Sequence, residues 1–275
     1  MRGSKTHPLW LSASSDWHMR IAALDKQAPG GPIRQVRRRQ TILSAMDFSS
    51  IRLITFDCYG TLIDWETGML AELRPMFSPH GHAGEDGELL RLFGEVEAEV
   101  EAGPYLPYRQ ILSLTVQEMG RRRQAAISAE DGARFAESLT RWQPFPDTVA
   151  SLQALARRFR LGIISNVDDD LFAVTRKKLD VNFDVIVTAQ QVESYKPSHK
   201  NFQEALRRSG LKKEEILHAG QSVYHDIVPA NQLGIRNVWV NRPSIRPGSG
   251  AAKPAAGKPT AEVKSMAELA KLVMG

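Results

Sequence analysis

The amino-acid sequence predicts an α/β protein: a doubly wound parallel sheet with helices on both faces and an inserted helical domain. Short apolar runs alternate with amphipathic stretches from Ile51 onward, which is typical of a parallel sheet covered by helices. Four of the five runs follow residue 159, whereas residues 58–159 carry only helical patterns. We therefore expect one sheet whose first strand is separated from the others by an insertion.

The five apolar runs have the length of buried strands. They are IRLITFD (51–57), RLGIISN (160–166), FDVIVTA (183–189), EILHAGQ (215–221) and IRNVWVN (235–241). In an open parallel sheet, the loops that follow the strands lie at one edge, and that edge is where such folds bind their ligands. We expect the functional residues in these loops.

Helical patterns with recognisable ends lie between the later strands. Ser198 can cap a helix that stops at Gly210, and another helix begins near Asp147. The acidic run 168–170 is predicted to start a helix, because carboxylates complement the positive end of a helix dipole. Residues 243–259 are rich in Pro, Gly and Ala and predict a tether to a final amphipathic helix.

The insertion carries three apolar stripes with helical spacing. They comprise Leu89, Phe93, Val96 and Val100, then Ile111, Leu112, Thr115 and Met119, then the tract AEDGARFAESLTRW. We interpret residues 66–144 as a helical cap over the strand ends, with residues 46–65 and 145–275 forming the α/β core.

The composition limits the class of protein. With 275 residues, 42% of them hydrophobic and 24% charged, the chain can bury one large core or a core plus a small second domain. No window approaches the roughly 18 to 20 uninterrupted apolar residues of a membrane helix, and the N-terminus lacks the apolar run of a secretory signal. The single cysteine, Cys58, excludes an internal disulfide and favours a cytoplasmic location without membrane contact.

The positive charge is concentrated at the start of the chain. Residues 1–46 hold eight basic residues and two aspartates, which gives them a net charge of +6. Because the whole chain has a net charge of +5, residues 47–275 sum to −1. The globular part is therefore not basic, and we expect no nucleic-acid partner for it. Residues 1–45 form a basic extension with three open interpretations: a disordered arm, an Arg-rich organelle-targeting peptide, or sequence upstream of the natural start.

Polar residues stand at the ends of four predicted strands. In chain order they are Asp57, Ser165 with Asn166, Lys196 in SYKPS, and Asp226 in GQSVYHD. Parallel neighbouring strands would bring them to one crevice. A carboxylate is a weak nucleophile that becomes competent when it is desolvated and aligned beside a cation, and Lys196 would also relieve the repulsion between two aspartates.

From about Met46 to Val273, with these four motifs, the chain resembles the haloacid dehalogenase superfamily of hydrolases. The resemblance implies a Rossmann-like core with a cap domain. It also implies roles: Asp57 as the nucleophile that forms an ester, Ser165 and Asn166 as holders of the substrate or nucleophile, Lys196 as the neutralising cation, and Asp226 as a helper of the hydrolytic step.

Tyr59 indicates the branch of this superfamily. The phosphatases carry a second aspartate two places after the nucleophile, where it protonates the leaving alcohol. This chain has Tyr59 there, and a departing halide needs no proton. The stretch FDCYGTL, which includes Thr61, is similar to the pattern of the L-2-haloacid dehalogenases, and the resemblance implies that Tyr59 and Thr61 help to bind substrate.

The last motif favours a site without a cofactor. Magnesium-dependent members usually place an aspartate directly after its glycine, where this chain has Gln221 after Gly220. Exchanging a carboxylate for an amide removes a charge that Mg²⁺ prefers. We expect no metal, although Asp57 and Asp226 could hold Mg²⁺ together with a backbone carbonyl and waters.

In the insertion, YLPYRQIL is similar to the place where the dehalogenases keep an arginine facing the substrate. This resemblance implies that Arg109 binds the departing halide or the substrate carboxylate; a solvated arginine on a helix surface is the alternative. The chain departs from the dehalogenase pattern at Phe202, Val223 and Val167, so its substrate can differ from short chloroacids.

The sequence thus predicts hydrolysis of short 2-haloalkanoic acids, small anionic substrates, through an aspartyl ester. One alternative is a Mg²⁺-dependent phosphatase acting on a small phosphorylated metabolite. Another is a catalytically idle member whose basic arm binds RNA or an acidic partner. Whether two chains pair as a homodimer is left open.

Overall fold

A computed structural model describes residues 47–81 and 84–275, so the predicted extension over residues 1–45 lies outside the described residues. In the described part of the chain, six strands form one sheet in the order β3-β2-β1-β4-β5-β6, and every pairing is parallel. The strands are β1 (Leu53–Phe56), β2 (Arg160–Ser165), β3 (Val185–Thr188), β4 (Ile216–Gly220), β5 (Arg236–Val240) and β6 (Ala261–Val263). The predicted fold class, a doubly wound parallel sheet, is confirmed.

The five predicted strands are all present, each shorter than its apolar run by one to three residues. The sixth strand, β6, was not predicted. It has three residues, of which Ala261 and Val263 are buried and Glu262 is exposed, and it pairs with β5 at the edge of the sheet. A strand this short carries too few apolar residues for its alternation to be recognised.

Helices cover the sheet and fill the insertion. Their bounds are α1 (Trp65–Phe77), α2 (Asp86–Glu101), α3 (Tyr108–Arg122), α4 (Ala129–Ser138), α5 (Thr148–Ala156), α6 (Asp169–Leu179), α7 (Ala189–Val192), α8 (His199–Ser209), α9 (Val228–Leu233) and α10 (Met266–Met274). A π-helical turn, Val223–Ile227, precedes α9. The Ser198 hydroxyl caps α8, which ends at Gly210 in the left-handed conformation, as predicted.

The core lies on both faces of the sheet. All four residues of β1 are fully buried, which is the burial expected of a central strand with helices on both sides. Leu53 packs with residues of the neighbouring strands and of α8, including Ile164, Val187, Phe202 and Ile216. This packing fixes the height at which β1 ends, and therefore the position of Asp57.

The described parts of the insertion, residues 66–81 and 84–144, contain α2, α3, α4 and nearly all of α1. In α4, a β-carbon added at Gly132 would lie 2.3 Å from Ser113 Oγ, so the two helices α3 and α4 touch through backbone at that point. We call residues 66–144 the helical insertion. Its division from the core as a separate domain stays a prediction.

Residues 243–259 were predicted as a tether; residues 244–252 pack against the helical insertion, whereas residues 253–258 are exposed. Ala251 and Ala252 are buried, and a β-carbon at Gly94 of α2 would come within 1.9 Å of the Ala251 carbonyl oxygen. The Glu66 carboxylate of α1 accepts hydrogen bonds from the Ala251 N–H at 2.9 Å and the Ser244 hydroxyl at 2.8 Å. We call residues 243–259 the strap. The composition did not predict that Gly94 and Glu66 contact the strap.

Among residues 47–81 and 84–275, no helix combines the length and hydropathy needed to cross a bilayer.

Candidate active site

The site lies at the carboxyl edge of the sheet, directly after β1. Strands β2 and β4 flank β1, so the residues that follow these three strands are neighbours in space. Asp57 follows β1, and its N–H donates to the Ala219 carbonyl of β4 at 3.0 Å. That bond holds the first residue beyond the strand in register with the sheet.

Lys196 joins the two aspartates. Its Nζ donates to Asp57 Oδ1 at 2.9 Å, to Asp226 Oδ1 at 2.6 Å and to the Ile164 carbonyl at 2.9 Å. The lysine is 1% exposed, so all three of its donors are satisfied inside the protein. Burial alone would lower the pKa of Lys196, but the two carboxylates outweigh it and raise the pKa, which keeps the ammonium charged.

Asp57 is the more accessible of the two aspartates, with 11% of its side chain exposed. Its Oδ2 accepts a hydrogen bond from the Thr61 hydroxyl at 2.7 Å. Burial raises the pKa of Asp57, opposed by Lys196 and reinforced by Asp226. The carboxylate is thus poorly hydrated and held from both sides, an arrangement that increases the reactivity of a carboxylate nucleophile.

Thr61 differs from its predicted role. The side chain is fully buried, and its oxygen also accepts from the Gln221 N–H at 2.8 Å, so both of its bonds point into the protein. Thr61 fixes one oxygen of Asp57 and does not line the cavity described below. In the Gly60–Thr61 turn, the Thr61 hydroxyl points back to Asp57, four residues earlier in the chain. The spacing of the two residues in the sequence did not predict this contact.

Asp226 is fully buried beneath Lys196 and does not reach the cavity wall. Its Oδ1 lies 3.2 Å from His218 Nε2, and its Oδ2 accepts from the Ser222 N–H at 3.3 Å. Although burial raises its pKa, Lys196 and His218 together hold the pKa of Asp226 well below the usual range. Such a carboxylate is a poor base, and its contacts suit it to holding the lysine.

The other strand-end residues lie beside the nucleophile. Ser165 is buried, and its hydroxyl has no hydrogen-bond partner among residues 47–81 and 84–275. Asn166 accepts from the Lys196 N–H at 2.8 Å and donates to the Lys196 carbonyl at 3.1 Å, which fixes the loop that carries the lysine. The Tyr59 hydroxyl forms a hydrogen bond with Thr175 Oγ1 at 2.8 Å, outside the site. Tyr59 therefore contributes its ring to the site.

These side chains surround a small cavity of about 30 Å³. Twelve residues line it: Asp57, Tyr59, Trp65, Glu97, Glu101, Tyr108, Ser165, Asn166, Lys196, Gln221, Ser222 and His225. The structure therefore brings together five of the eight predicted site residues on the wall, with Asp226 and Thr61 directly behind it. A larger open groove of about 660 Å³ beside α6 contains none of the predicted site residues.

Arg109 differs from the prediction. Its guanidinium lies outside the cavity and forms ion pairs with Glu137 and with Asp170, the latter at 2.7 Å. Tyr108, one position earlier on α3, faces the cavity instead. Successive residues of a helix point about 100° apart, so a shift of one position moves a side chain from the cavity to the surface.

The cavity wall also contains residues that the sequence analysis did not place in the site, among them two glutamates, a tyrosine and a histidine. Glu97 and Glu101 lie one turn apart on α2, Tyr108 begins α3, and His225 follows β4. His225 is 9% exposed and its Nε2 lies 3.6 Å from Glu101 Oε2. The sequence signal that could have identified two of these residues was the pair of acids, Glu97 and Glu101, beside the apolar stripe of α2.

A further carboxylate joins the insertion to the core. Asp168 precedes α6, as predicted, but its side chain caps α3: Oδ1 accepts from the Tyr108 N–H at 2.8 Å and Oδ2 from the Arg109 N–H at 3.0 Å. A carboxylate at the first turn of a helix satisfies free N–H groups and complements the dipole. Asp168 thereby places Tyr108 over the cavity.

The donor set around Asp57 does not fit a magnesium ion well. Lys196 already occupies the position between Asp57 and Asp226, and the Gln221 amide donates to the Ser249 carbonyl at 3.1 Å. Within the described ranges, no three His, Cys, Asp or Glu side chains are grouped so that they could hold a metal ion. A hard divalent cation needs several anionic oxygens in one place.

Residues 51–234 match the family model of haloacid dehalogenase-like hydrolases. Two similar curated proteins are the rhythmically expressed gene 2 protein of Drosophila melanogaster, 28% identical over 71% of this chain and 85% of that protein, and the (S)-2-haloacid dehalogenase of Pseudomonas putida, 26% identical over 80% and 95%. A glyceraldehyde 3-phosphate phosphatase of Methanothermobacter thermautotrophicus is 35% identical, over 36% of this chain and 45% of the phosphatase.

Solved structures agree on the fold. An L-2-haloacid dehalogenase superposes with a TM-score of 0.70 at 22% identity, covering 82% of this chain and 99% of the other. The L-2-haloacid dehalogenase of Xanthobacter autotrophicus with chloropropionic acid covalently bound gives a TM-score of 0.68 at 18% identity, with the same coverage. At these identities the similarity establishes the architecture.

Proposed function

Because the chain belongs to the haloacid dehalogenase-like hydrolases, we propose that it removes halide from small 2-haloalkanoic acids, with Asp57 as the nucleophile. One observation carries this proposal. The Asp57 carboxylate reaches the cavity between Lys196 and Thr61, while the position two residues later holds Tyr59, whose hydroxyl is bonded to Thr175. The core therefore offers a nucleophile without the neighbouring acid that an alcohol leaving group requires.

The first step is displacement at carbon. An oxygen of Asp57 attacks the carbon next to the substrate carboxylate, the carbon–halogen bond breaks, and its electron pair leaves with the halide. The configuration at carbon inverts and the aspartate becomes an ester. Lys196 and Thr61 align the attacking carboxylate before the reaction, which removes part of the entropic barrier.

The second step is hydrolysis at the protein. Water attacks the carbonyl carbon of the Asp57 ester, the hydroxy acid leaves, and the carboxylate is regenerated. The Lys196 ammonium stabilises negative charge that develops on the ester oxygens. Asp226 and His218 act on this step through Lys196, because Asp226 touches the lysine and not the cavity.

The substrate carboxylate meets uncharged donors. The buried Ser165 hydroxyl has no partner in the described part of the chain, Asn166 lies next to it, and both line the cavity. Of the described residues lining the cavity, none is an arginine. No step of this scheme requires a metal ion.

The decisive experiment is a single turnover of 2-chloropropionate in H₂¹⁸O, with enzyme in excess. We expect one ¹⁸O atom in the Asp57 carboxylate by mass analysis of its peptide. Asp57→Asn should lower kcat at least about 10³-fold, since it removes the group that forms the covalent bond. Label found only in the product would mean that water attacks the substrate directly, and the proposal would be wrong.

A Mg²⁺-dependent phosphatase acting on a small phosphorylated metabolite is the second candidate, favoured by the identity to the archaeal phosphatase. EDTA separates the two. Halide release should continue in EDTA, whereas phosphate release from a panel of phosphate monoesters should need added Mg²⁺. Phosphatase activity that exceeds dehalogenase activity in kcat/KM would favour this second candidate.

A further inference from the structure

Glu97 is a buried carboxyl group on the cavity wall that the scheme above does not use. It lies in the last turns of α2, is 3% exposed, and lines the same cavity as Asp57. Its Oε1 accepts a hydrogen bond from the Tyr108 hydroxyl at 2.7 Å. The donor is neutral, and in the described part of the chain no basic side chain forms an ion pair with Glu97, which a buried carboxylate normally needs.

The surroundings of Glu97 favour its neutral acid form. Burial raises its pKa to about 8, with Glu101 adding to the shift and the Tyr108 hydroxyl opposing it. The charged or titratable groups that face it are Glu101 on the same helix, Tyr108 from α3, His225 after β4 and Asp57 after β1. At neutral pH the insertion thus presents a carboxylic acid to the cavity.

The geometry of displacement directs the leaving group towards the insertion. Asp57 enters from the sheet edge, and a nucleophile at carbon expels the leaving group from the opposite side. Side chains of α2 and α3, including Glu97 and Tyr108, line the cavity from the insertion, whereas Asp57 lines it from the sheet. The leaving group of the substrate, which moves away from Asp57, therefore approaches the residues of the insertion.

A second observation shows that this cavity is prepared for a polar ligand. Ser165 Oγ lines it, is buried, and has no hydrogen-bond partner among the described residues, and His225 Nε2 on the same wall has only the longer contact of 3.6 Å to Glu101 Oε2. An unpaired buried polar atom is destabilising, and a ligand that hydrogen-bonds to it removes that penalty. A small substrate with hydrogen-bonding groups on two sides would do so.

We propose that Glu97 is the proton donor to the leaving group, supplied by the insertion in place of the aspartate that the core lacks at Tyr59. As the bond from carbon to the leaving group breaks and its electron pair departs, the Glu97 proton moves to that group. The resulting carboxylate takes a proton from the water that hydrolyses the Asp57 ester. The sum is R–X plus water giving R–OH plus HX. This inference rests on the proposed function.

The inference extends the substrate class. Bromide leaves readily without a proton, whereas fluoride is a poor leaving group with a strong affinity for one. A donor at Glu97 therefore favours substrates whose leaving groups need protonation, and 2-fluoroalkanoic acids are the matching halogenated class. The advantage of a positioned general acid is typically about 10² to 10⁴-fold.

The test compares Glu97→Gln with the intact protein on 2-bromo-, 2-chloro- and 2-fluoropropionate. We expect kcat/KM for the fluoro acid to fall about 10²-fold or more, and kcat/KM for the bromo acid to change less than about threefold. In the intact protein, defluorination should decline as pH rises through about 8, because the acid form is lost, and Glu97→Gln should abolish this decline. Glu95→Gln, an exposed glutamate of the same helix, is the matched control.

An equal loss with all three acids would overturn the inference and leave Glu97 a packing residue. A second measurement does not depend on turnover: the infrared difference spectrum of intact protein minus Glu97→Gln at pH 6.5 should contain a carboxylic-acid carbonyl band. Absence of this band overturns the inference. If the band is present but intact protein releases no halide and Asp57 takes up no ¹⁸O, then the proposed function fails and the protonated Glu97 stands.

Discussion

The two walls of the cavity differ in how their charges are balanced. On the wall that the sheet provides, Lys196 contacts both Asp57 and Asp226, so each charge has a partner. On the wall that the insertion provides, Glu97 and Glu101 face the same space, and the nearest basic group is His225. The first wall holds permanent charges in place, whereas the second can change its charge near neutral pH.

This difference separates two tasks. A nucleophile must stay ionised and aligned, and an ion-paired network at a rigid sheet edge provides both. A proton donor must gain and lose a proton, and a partly compensated carboxyl group on a helix suits that use. The predictions below test the contrast, from the largest expected effect to the smallest.

Lys196→Met should have the largest effect on stability. The change leaves two buried carboxylates without their cation, and we expect the free energy of unfolding at pH 7 to fall by about 3–5 kcal/mol, measured by urea denaturation. In intact protein the stabilising contribution of Asp226 is lost as pH falls, because the pKa of Asp226 lies below its unfolded value. The variant should instead regain stability on acidification, since its paired carboxylates then share a proton.

Lys200→Met, an exposed lysine nearby, is the control and should change stability by less than about 0.5 kcal/mol. A similar small change in Lys196→Met would contradict the balanced-charge description of the sheet wall.

Asp168→Ala tests how the two walls are joined. Removing the carboxylate that caps α3 should lower the free energy of unfolding by about 1–2 kcal/mol. Hydrogen exchange of the Tyr108 and Arg109 amides should accelerate, because both lose their acceptor. Asp170→Ala, on the exposed side of the same acidic run, should leave these amides protected; equal acceleration in both variants would exclude a specific cap.

Tyr108→Phe sharpens the description of the insertion wall. The Tyr108 hydroxyl lowers the pKa of Glu97 by donating to it, so its removal should raise the pKa above about 8. We expect a shift of up to about one unit, corresponding to about 1.4 kcal/mol. The infrared titration of the Glu97 carbonyl band measures it, and a shift in the opposite direction would show that the hydroxyl accepts the proton instead.

Arg109→Ala should have the smallest effect. Its ion pairs with Glu137 and Asp170 are partly exposed, and such pairs contribute about 0–1 kcal/mol. We expect kcat/KM to change less than about threefold. A loss of about 10²-fold would return Arg109 to the substrate and remove the contrast between the two walls.

The sheet wall could be predicted from sequence, and the reason is geometric. A residue that follows a buried parallel strand lies at a known edge of the sheet, so Asp57, Ser165 and Asn166 could be placed from the strands alone. The motif containing Lys196 was assigned by its place in the same order along the chain. The fold class rests on the same apolar runs.

The insertion wall could not be predicted in the same way. The direction of a helical side chain depends on the rotation of the helix, and an error of one residue exchanges Tyr108 for Arg109. Glu97 lies beside the apolar stripe of α2. An acidic residue at such a position is usually interpreted as exposed, although its neighbours are buried. The strap was missed because its contacts, such as the approach of Ala251 to Gly94, arise only in the folded chain.

The cavity of about 30 Å³ has room for roughly two water molecules, whereas sites that enclose small organic ligands usually measure about 300–1,000 Å³. Under the proposed function, a haloacid larger than this space displaces side chains of α2 or α3 as it enters, and Asp168 and the strap restrain those helices. Each catalytic cycle then includes two gating events, one for admission and one for release. If this motion, and not bond cleavage, limits the rate, then a higher solvent viscosity should lower kcat.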